Sequence, residues 1–300
     1  MPPLLKMFMN TKISQHIYGW LLVMPAIILM GTFTHLPSVT TLISSFFSTG
    51  TAKNPSSFIG IENYEYMFED PVFIEAVSNN IWYSLGTIIP SILLAIIMAI
   101  FVDSKLPGRV LVRMAYFTPT ILPMIAVSNI WLFFFTPDIG LLDQVASFLG
   151  FEGHNWLGDT DTVLGCMIVI TIWKEAGFFM IFYLAALQNI SPELKEAAVL
   201  EGSSKFYFFR RITFPLLMPM TLFILINATL NSFKLVDHLF ILTKGGPNNA
   251  SNLILYYIYE AAFSFFDSSY AATMTIFLLL ILALISLAQF VFFDKRIHYR

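Results

Sequence analysis

Glu196–Pro215, EAAVLEGSSKFYFFRRITFP, is a polar and basic stretch set between two long apolar segments. Everything around it is unusually apolar. Of 300 residues, 57% are hydrophobic and 12% charged, and the mean hydropathy is +0.75, outside the range of ordinary soluble domains. A membrane-spanning helix needs about 20 mainly apolar residues, because each rises about 1.5 Å through about 30 Å of hydrocarbon. Six segments qualify: Ile17–Phe33, Ile81–Val102, Val110–Phe134, Val163–Leu187, Leu216–Phe240 and Ala271–Phe293. The expected class is an all-α integral membrane protein with six transmembrane helices. It forms one membrane domain over residues 1–300, with one large loop at residues 188–215.

Basic residues orient this bundle. The segments Met1–His16, Asp103–Arg109, Gln188–Pro215 and Asp294–Arg300, with Arg113, hold 12 of the 16 Lys and Arg residues. The opposite side has Lys53 and Lys244. That excess predicts a cytoplasmic loop 188–215 and cytoplasmic termini. The first apolar run follows Lys6 and Lys12, as a signal peptide would. It continues past Pro37 to Phe47 without a small-residue cleavage site, so it is read as a retained helix. Cys166 is the sole cysteine, which leaves no internal disulfide or cysteine metal cluster. His16, His35, His154, His238 and His298 are scattered without metal-ligand spacing, so neither catalytic nor metal residues are expected. Pro90, Pro119 and Pro123 fall inside spans and predict kinks.

The loop itself has helix punctuation. Ser191-Pro192-Glu193 offers a hydroxyl N-cap, a first-turn proline and a carboxylate at the positive end of the helix dipole. Leu194, Ala197, Ala198 and Glu201 follow at helical spacing, and the two alanines predict a shallow face another protein can approach. Gly202 is placed to end the helix at positive φ. A second short helix from Ser204 presents Phe206, Phe208 and Phe209 beside Arg210 and Arg211, and Pro215 opens the next span. Such a helix suits a groove on a partner; the competing reading is a basic-aromatic lipid anchor.

The Glu-Ala-Ala start, Gly202 six residues later and the Ile212–Pro215 exit resemble the EAA loop of binding-protein-dependent ABC importers. The run WKEAGFFMIFYLAALQ (Trp173–Gln188) and Leu242-Thr-Lys-Gly-Gly-Pro247 are similar to the carbohydrate branch, the maltose and glycerol-3-phosphate permeases. The likeness runs from Tyr18 to Arg300. It departs at Phe214, where Leu is usual, and at Glu201-Gly202-Ser203, where Asp-Gly-Ala is common. It implies a type I ABC importer permease fold in the bacterial inner membrane, with ATPase coupling through Glu196, Ala197, Ala198, Glu201, Gly202, Arg210, Arg211 and Pro215. It also implies a second permease subunit as heterodimer partner, a dimer of ATP-binding subunits, and a periplasmic or lipid-anchored solute-binding protein. Nucleic acid has no place in that set. No G-x-x-x-x-G-K-[ST] occurs, so ATP and Mg belong to the partner ATPase, with no cofactor in this chain. The implied mechanism is alternating access driven from the loop.

Charges inside spans are costly and usually functional. Lys174 and Glu175 are neighbours that point apart, so each needs a partner elsewhere; Lys234 and Asp237, three apart, are expected to pair. Asn227 and Asn231 add a polar line one turn apart. By resemblance, the substrate-pathway positions are Thr171, Lys174, Glu175, Phe178, Asn231, Ser232 and Leu235, with Asn227 beside them, and the solute is a sugar, a polyol or a glycerol-3-phosphate-like compound. A self-sufficient proton-coupled secondary transporter using the four charges is the alternative, weakened by six spans without an internal repeat.

Overall fold

A computed structural model of the chain describes residues 12–51, 53–104 and 107–294. Lys6, Lys105, Lys295, Arg296 and Arg300, which the orientation argument uses, lie outside the described residues. Helices α1 (Lys12–Met30) and α2 (Leu36–Ser44) are joined by a π-helical turn, Gly31–His35. Together they make one helix from His16 to Ser44, so the first span and the apolar stretch after Pro37 are continuous. Pro37 sits in the first turn of α2, where a missing N–H costs little. None of the most apolar window of that helix is buried against the rest of the chain.

The outer segment supplies α3 (Glu62–Glu69), with Met67 inward and Tyr66 and Phe68 outward. Helix α4 (Pro71–Asp103) follows; its 33 residues make it about 50 Å long, ten residues longer at the outer end than the expected span. Asp70 fixes that extension. Its Oδ1 accepts from the Val72 N–H at 2.9 Å, and its Oδ2 accepts from the Tyr257 and Tyr270 hydroxyls at 2.5 and 2.6 Å.

The expected third span is instead two helices, α5 (Arg109–Ile121) and α6 (Met124–Phe135), meeting at 101°. Pro123 has no N–H to continue the ladder and forces Leu122 into extended backbone, φ −70° and ψ 135°. Among the described residues there are thus five helices long and apolar enough to cross a membrane, or six with this bent pair as one span.

Beyond α6, the short α7 (Leu141–Phe148) lies in the second outer segment. Its Asp143, 3% exposed, accepts from the Asp138 N–H at 2.8 Å, the Trp156 indole N–H at 2.6 Å and the His154 N–H at 3.3 Å. These donors hold its carboxyl below the usual carboxylate range, the Asp138 backbone contributing most. A group depressed in the folded state stabilises above its unfolded value and loses that contribution as pH falls toward the folded one. The segment 136–162 is therefore expected to loosen below about pH 4. Hydrogen exchange of peptides spanning 138–158, corrected for intrinsic rates, measures this, and Asp143→Asn removes the pH dependence.

Helix α8 (Val163–Gln188) matches its expected span almost residue for residue. It packs along α4 through a seam of small residues, Ala95, Ala99 and Ala176, interleaved with Phe179, Met180 and Tyr183. Small residues let helix backbones approach closely where lipid gives no hydrophobic drive for association. The inner loop holds α9 (Pro192–Leu200) and α10 (Lys205–Phe208). A π-helical turn, Phe209–Thr213, then runs into α11 (Phe214–Lys234). After a break come α12 (Asp237–Leu242), α13 (Ile254–Tyr259), a third π-helical turn and the last span, α14 (Ser268–Asp294). An outer cluster around Phe73, Phe233, Tyr257, Tyr270 and Met274 binds α4, α11, α13 and α14 together.

Candidate functional site

Two helix breaks frame the middle of the bundle. At the first, the carbonyl of Pro119 faces the position where Pro123 has no N–H, and the last carbonyls of α5 are orphaned. Lys174 of α8 takes them: its Nζ donates to Leu122 O at 2.6 Å, Pro119 O at 3.3 Å and Thr120 O at 3.4 Å. Three ammonium protons meet three carbonyls at the negative end of a helix dipole. The close approach depends on Gly177, where a Cβ would lie 2.0 Å from the Tyr116 carbonyl oxygen.

The second break is at Leu235–Val236. The Leu235 N–H still donates to Asn231 O at 2.9 Å, but its ψ of 89° ends α11. Asn80 bridges the gap, donating to Ser232 O at 3.4 Å and accepting from the Ile254 N–H at 3.3 Å. The break also corrects one expectation. Lys234 and Asp237 sit on either side of it, both exposed, and among the described residues no ion pair joins them; the acid–base contact present is His154–Asp159, at 3.1 Å. A three-residue spacing brings side chains together only along a continuous helix.

Between the breaks α4, α8 and α11 leave a cleft of about 210 Å³, open solvent included. Thr87, Ile88 and Ser91 line it from α4, Thr171, Glu175 and Phe179 from α8, and Ala228, Asn231 and Ser232 from α11. Of the expected pathway set, Thr171, Glu175, Asn231 and Ser232 are brought together here. The Glu175 carboxylate accepts from the Asn231 amide at 2.9 Å, the partner its position demanded. Thr171 shares a 2.6 Å hydrogen bond with the Tyr83 hydroxyl, and Ser232 one of 2.9 Å with Ser84.

The other four expected positions lie elsewhere. Lys174 caps α5, and Phe178 meets Phe182 edge to face, their ring centroids 5.0 Å apart. Asn227 donates to Phe223 O of its own helix at 2.7 Å, and Leu235 occupies the break. Sequence reasoning missed Thr87, Ser91 and Phe179. The first two belong to a stripe, Asn80, Ser84, Thr87 and Ser91, at helical spacing within an apolar segment, and that stripe was a usable signal.

The inner loop is built from local caps. Pro192 opens α9, but the Ser191 hydroxyl makes no cap bond and instead contacts the Glu193 carboxylate at 3.4 Å. At the other end Gly202 has φ +71°. The Ser203 N–H donates to Ala198 O at 2.9 Å and the Gly202 N–H to Val199 O at 3.1 Å, the two bonds of a Schellman cap. Ser204 caps α10, accepting from the Tyr207 N–H at 3.2 Å. The shallow alanine face is corrected: Ala198 turns into the chain's own body, while Ala197 faces out beside Glu196. Val199 and Leu200 are also outward, 70% and 89% exposed. Glu201, Gly202, Arg210, Arg211 and Pro215 are exposed as well, so each of the expected coupling residues other than Ala198 is exposed.

The sequence matches, over residues 91–299, the family described as binding-protein-dependent transport system inner membrane component. The chain belongs to this family. The permease is 34% identical over 278 residues to the lactose transport system permease protein LacF of Rhizobium radiobacter, covering 91% of this chain and 92% of the relative. It is 31% identical over 257 residues to the sulfoquinovosyl glycerol transport system permease protein SmoG of Agrobacterium fabrum, covering 85% and 83%. Its fold matches a chain of a bacterial ABC transporter involved in the import of the acidic polysaccharide alginate, with a TM-score of 0.83 at 23% identity over 97% of this chain and 99% of that one. The permease is thus an all-α, multi-pass membrane protein with the fold of an ABC importer permease.

Proposed function

We propose that this permease is the membrane-spanning subunit of an ATP-driven importer for a sugar, polyol or similar hydroxyl-rich solute. It works by alternating access in the bacterial inner membrane, with both termini cytoplasmic. The observation that carries the reading is α9. It is a helix closed by a Schellman cap that holds Glu196, Ala197, Val199 and Leu200 at the surface. A short helix that ends in exposed apolar residues beside exposed charges fits a groove on another protein. We assign that groove to an ATP-binding subunit, present as a dimer and carrying ATP and Mg.

The remaining partners follow from the family and from the surface. A periplasmic or lipid-anchored solute-binding protein delivers the solute, as the family description implies. A second permease completes the pathway: the cleft has room for about one water molecule, too little for a solute, so this chain supplies one wall. The unburied His16–Ser44 helix offers that subunit a surface. Helix breaks at Leu122 and Leu235 fit a pathway lined by interrupted helices near the bilayer centre.

The test is reconstitution of the chain with its cognate permease, ATPase and binding protein in liposomes. Uptake that requires internal or external ATP on the ATPase side, and ignores a proton gradient, supports the reading. Uptake by the chain alone, driven by a proton gradient, contradicts it.

A further inference from the structure

We infer that Glu175 makes this wall of the pathway selective for uncharged, hydroxyl-rich solutes and against anionic ones, an inference that rests on the importer reading. The relatives leave the question open, since lactose carries no charge and a sulfoquinovosyl glycerol carries a sulfonate.

The geometry decides it through the fate of the two neighbouring charges. Lys174, the obvious anion ligand, is committed to the carbonyls of Leu122, Pro119 and Thr120 and does not line the cleft. Lys234 does not line it either. Glu175 is the one ionisable residue on the cleft wall. The Asn231 amide N–H donates to its Oε2, which leaves Oε1 and the Asn231 carbonyl oxygen as acceptors. Ser91 is the second, independent mark of a ligand site: the residue lines the cleft, is 1% exposed, and its hydroxyl has no hydrogen-bond partner among the described residues. Buried hydroxyls are normally satisfied, so one unpaired beside a cleft is placed to pair with a ligand group. A wall with a carboxylate, an amide carbonyl and a free hydroxyl receives the O–H donors of a polyol. It repels a carboxylate, phosphate or sulfonate.

The experiment uses the assembled complex in nanodiscs and saturation-transfer NMR with two probes of one ring shape, methyl β-glucoside and methyl β-glucuronide. The glucoside is expected to bind and the glucuronide to bind at least about tenfold more weakly. Glu175→Gln keeps an acceptor for Asn231 and removes the charge, so it narrows this ratio, and Glu175→Asp restores it. Equal binding of both probes, binding of neither, or a ratio unchanged in Glu175→Gln overturns the inference. ATP-driven uptake by the same wild-type preparation is scored separately: if it persists while the ratio fails, the charge assignment is wrong and the importer reading stands.

Discussion

Glu196→Lys and Gly202→Asp are expected to lower ATP-driven uptake by about 100-fold or more, the size of effect that a central contact residue has on a protein interface. Both changes are expected to leave the chain folded in the membrane. Glu196 is exposed on α9. Reversing its charge alters the surface offered to the ATPase without removing an internal contact. Gly202 acts differently. A Cβ there would meet nothing within 4 Å, so the cost is conformational, arising from its φ of +71°. That cost, about 1 kcal/mol for a residue leaving glycine's freedom behind, loosens the cap that orients α9. The measurements are uptake and binding-protein-stimulated ATP hydrolysis in the reconstituted complex, with circular dichroism melting of the purified chain as the control. Lost uptake is the expected result for both, with an unchanged melt for Glu196→Lys and a midpoint lowered by no more than a few degrees for Gly202→Asp.

The second large effect is on stability, at the crossing of α5 and α8. Lys174→Met strands the carbonyl of Leu122, which now receives a 2.6 Å hydrogen bond, and weakens the caps on Pro119 and Thr120. Hydrogen bonds to charged groups contribute about 1.5–3 kcal/mol, and no water is at hand in the hydrocarbon to replace this one. Gly177→Ala attacks the same joint by overpacking. Its Cβ would sit 2.0 Å from the Tyr116 oxygen, a backbone atom that moves only if α5 moves. Overpacking of this kind costs about 1–3 kcal/mol. Each variant is expected to lower the thermal midpoint of the detergent-solubilised chain by several degrees. The double variant is expected to cost less than the sum, because displacing α5 already breaks the Lys174 bonds. Full additivity would show that the two residues act at separate places.

What was legible in the sequence followed the range of the forces involved. The ends of α8, the proline opening of α9 and the positive φ of Gly202 rest on local chain chemistry, and each stands where the residues place it. The outer extension of α4 was also written locally, in the cap Asp70-Pro71. The abrupt 101° turn at Leu122 was legible only as a kink, since Pro123 breaks the ladder but neighbouring helices set the angle. Lys234 and Asp237 misled because their spacing assumes a helix that ends between them. Lys174 met the expectation that a lone charge in a span needs a partner elsewhere, but that the partner is the orphaned end of another helix was not legible. Ser91 and Thr87 were hidden by their commonness, since hydroxyls at helical spacing become a site only when α8 and α11 are packed against them.

The central claim is that α9 is the point through which this permease receives energy from an ATP-binding subunit. A photo-crosslinking residue placed at Leu200, 89% exposed at the end of α9, tests it directly in the assembled complex in native membranes. A covalent adduct between this chain and an ATP-binding subunit, whose yield changes when ATP is added, is the expected result. Adducts to lipid alone, at positions 200 and 199 alike, would contradict it and make the loop a membrane anchor.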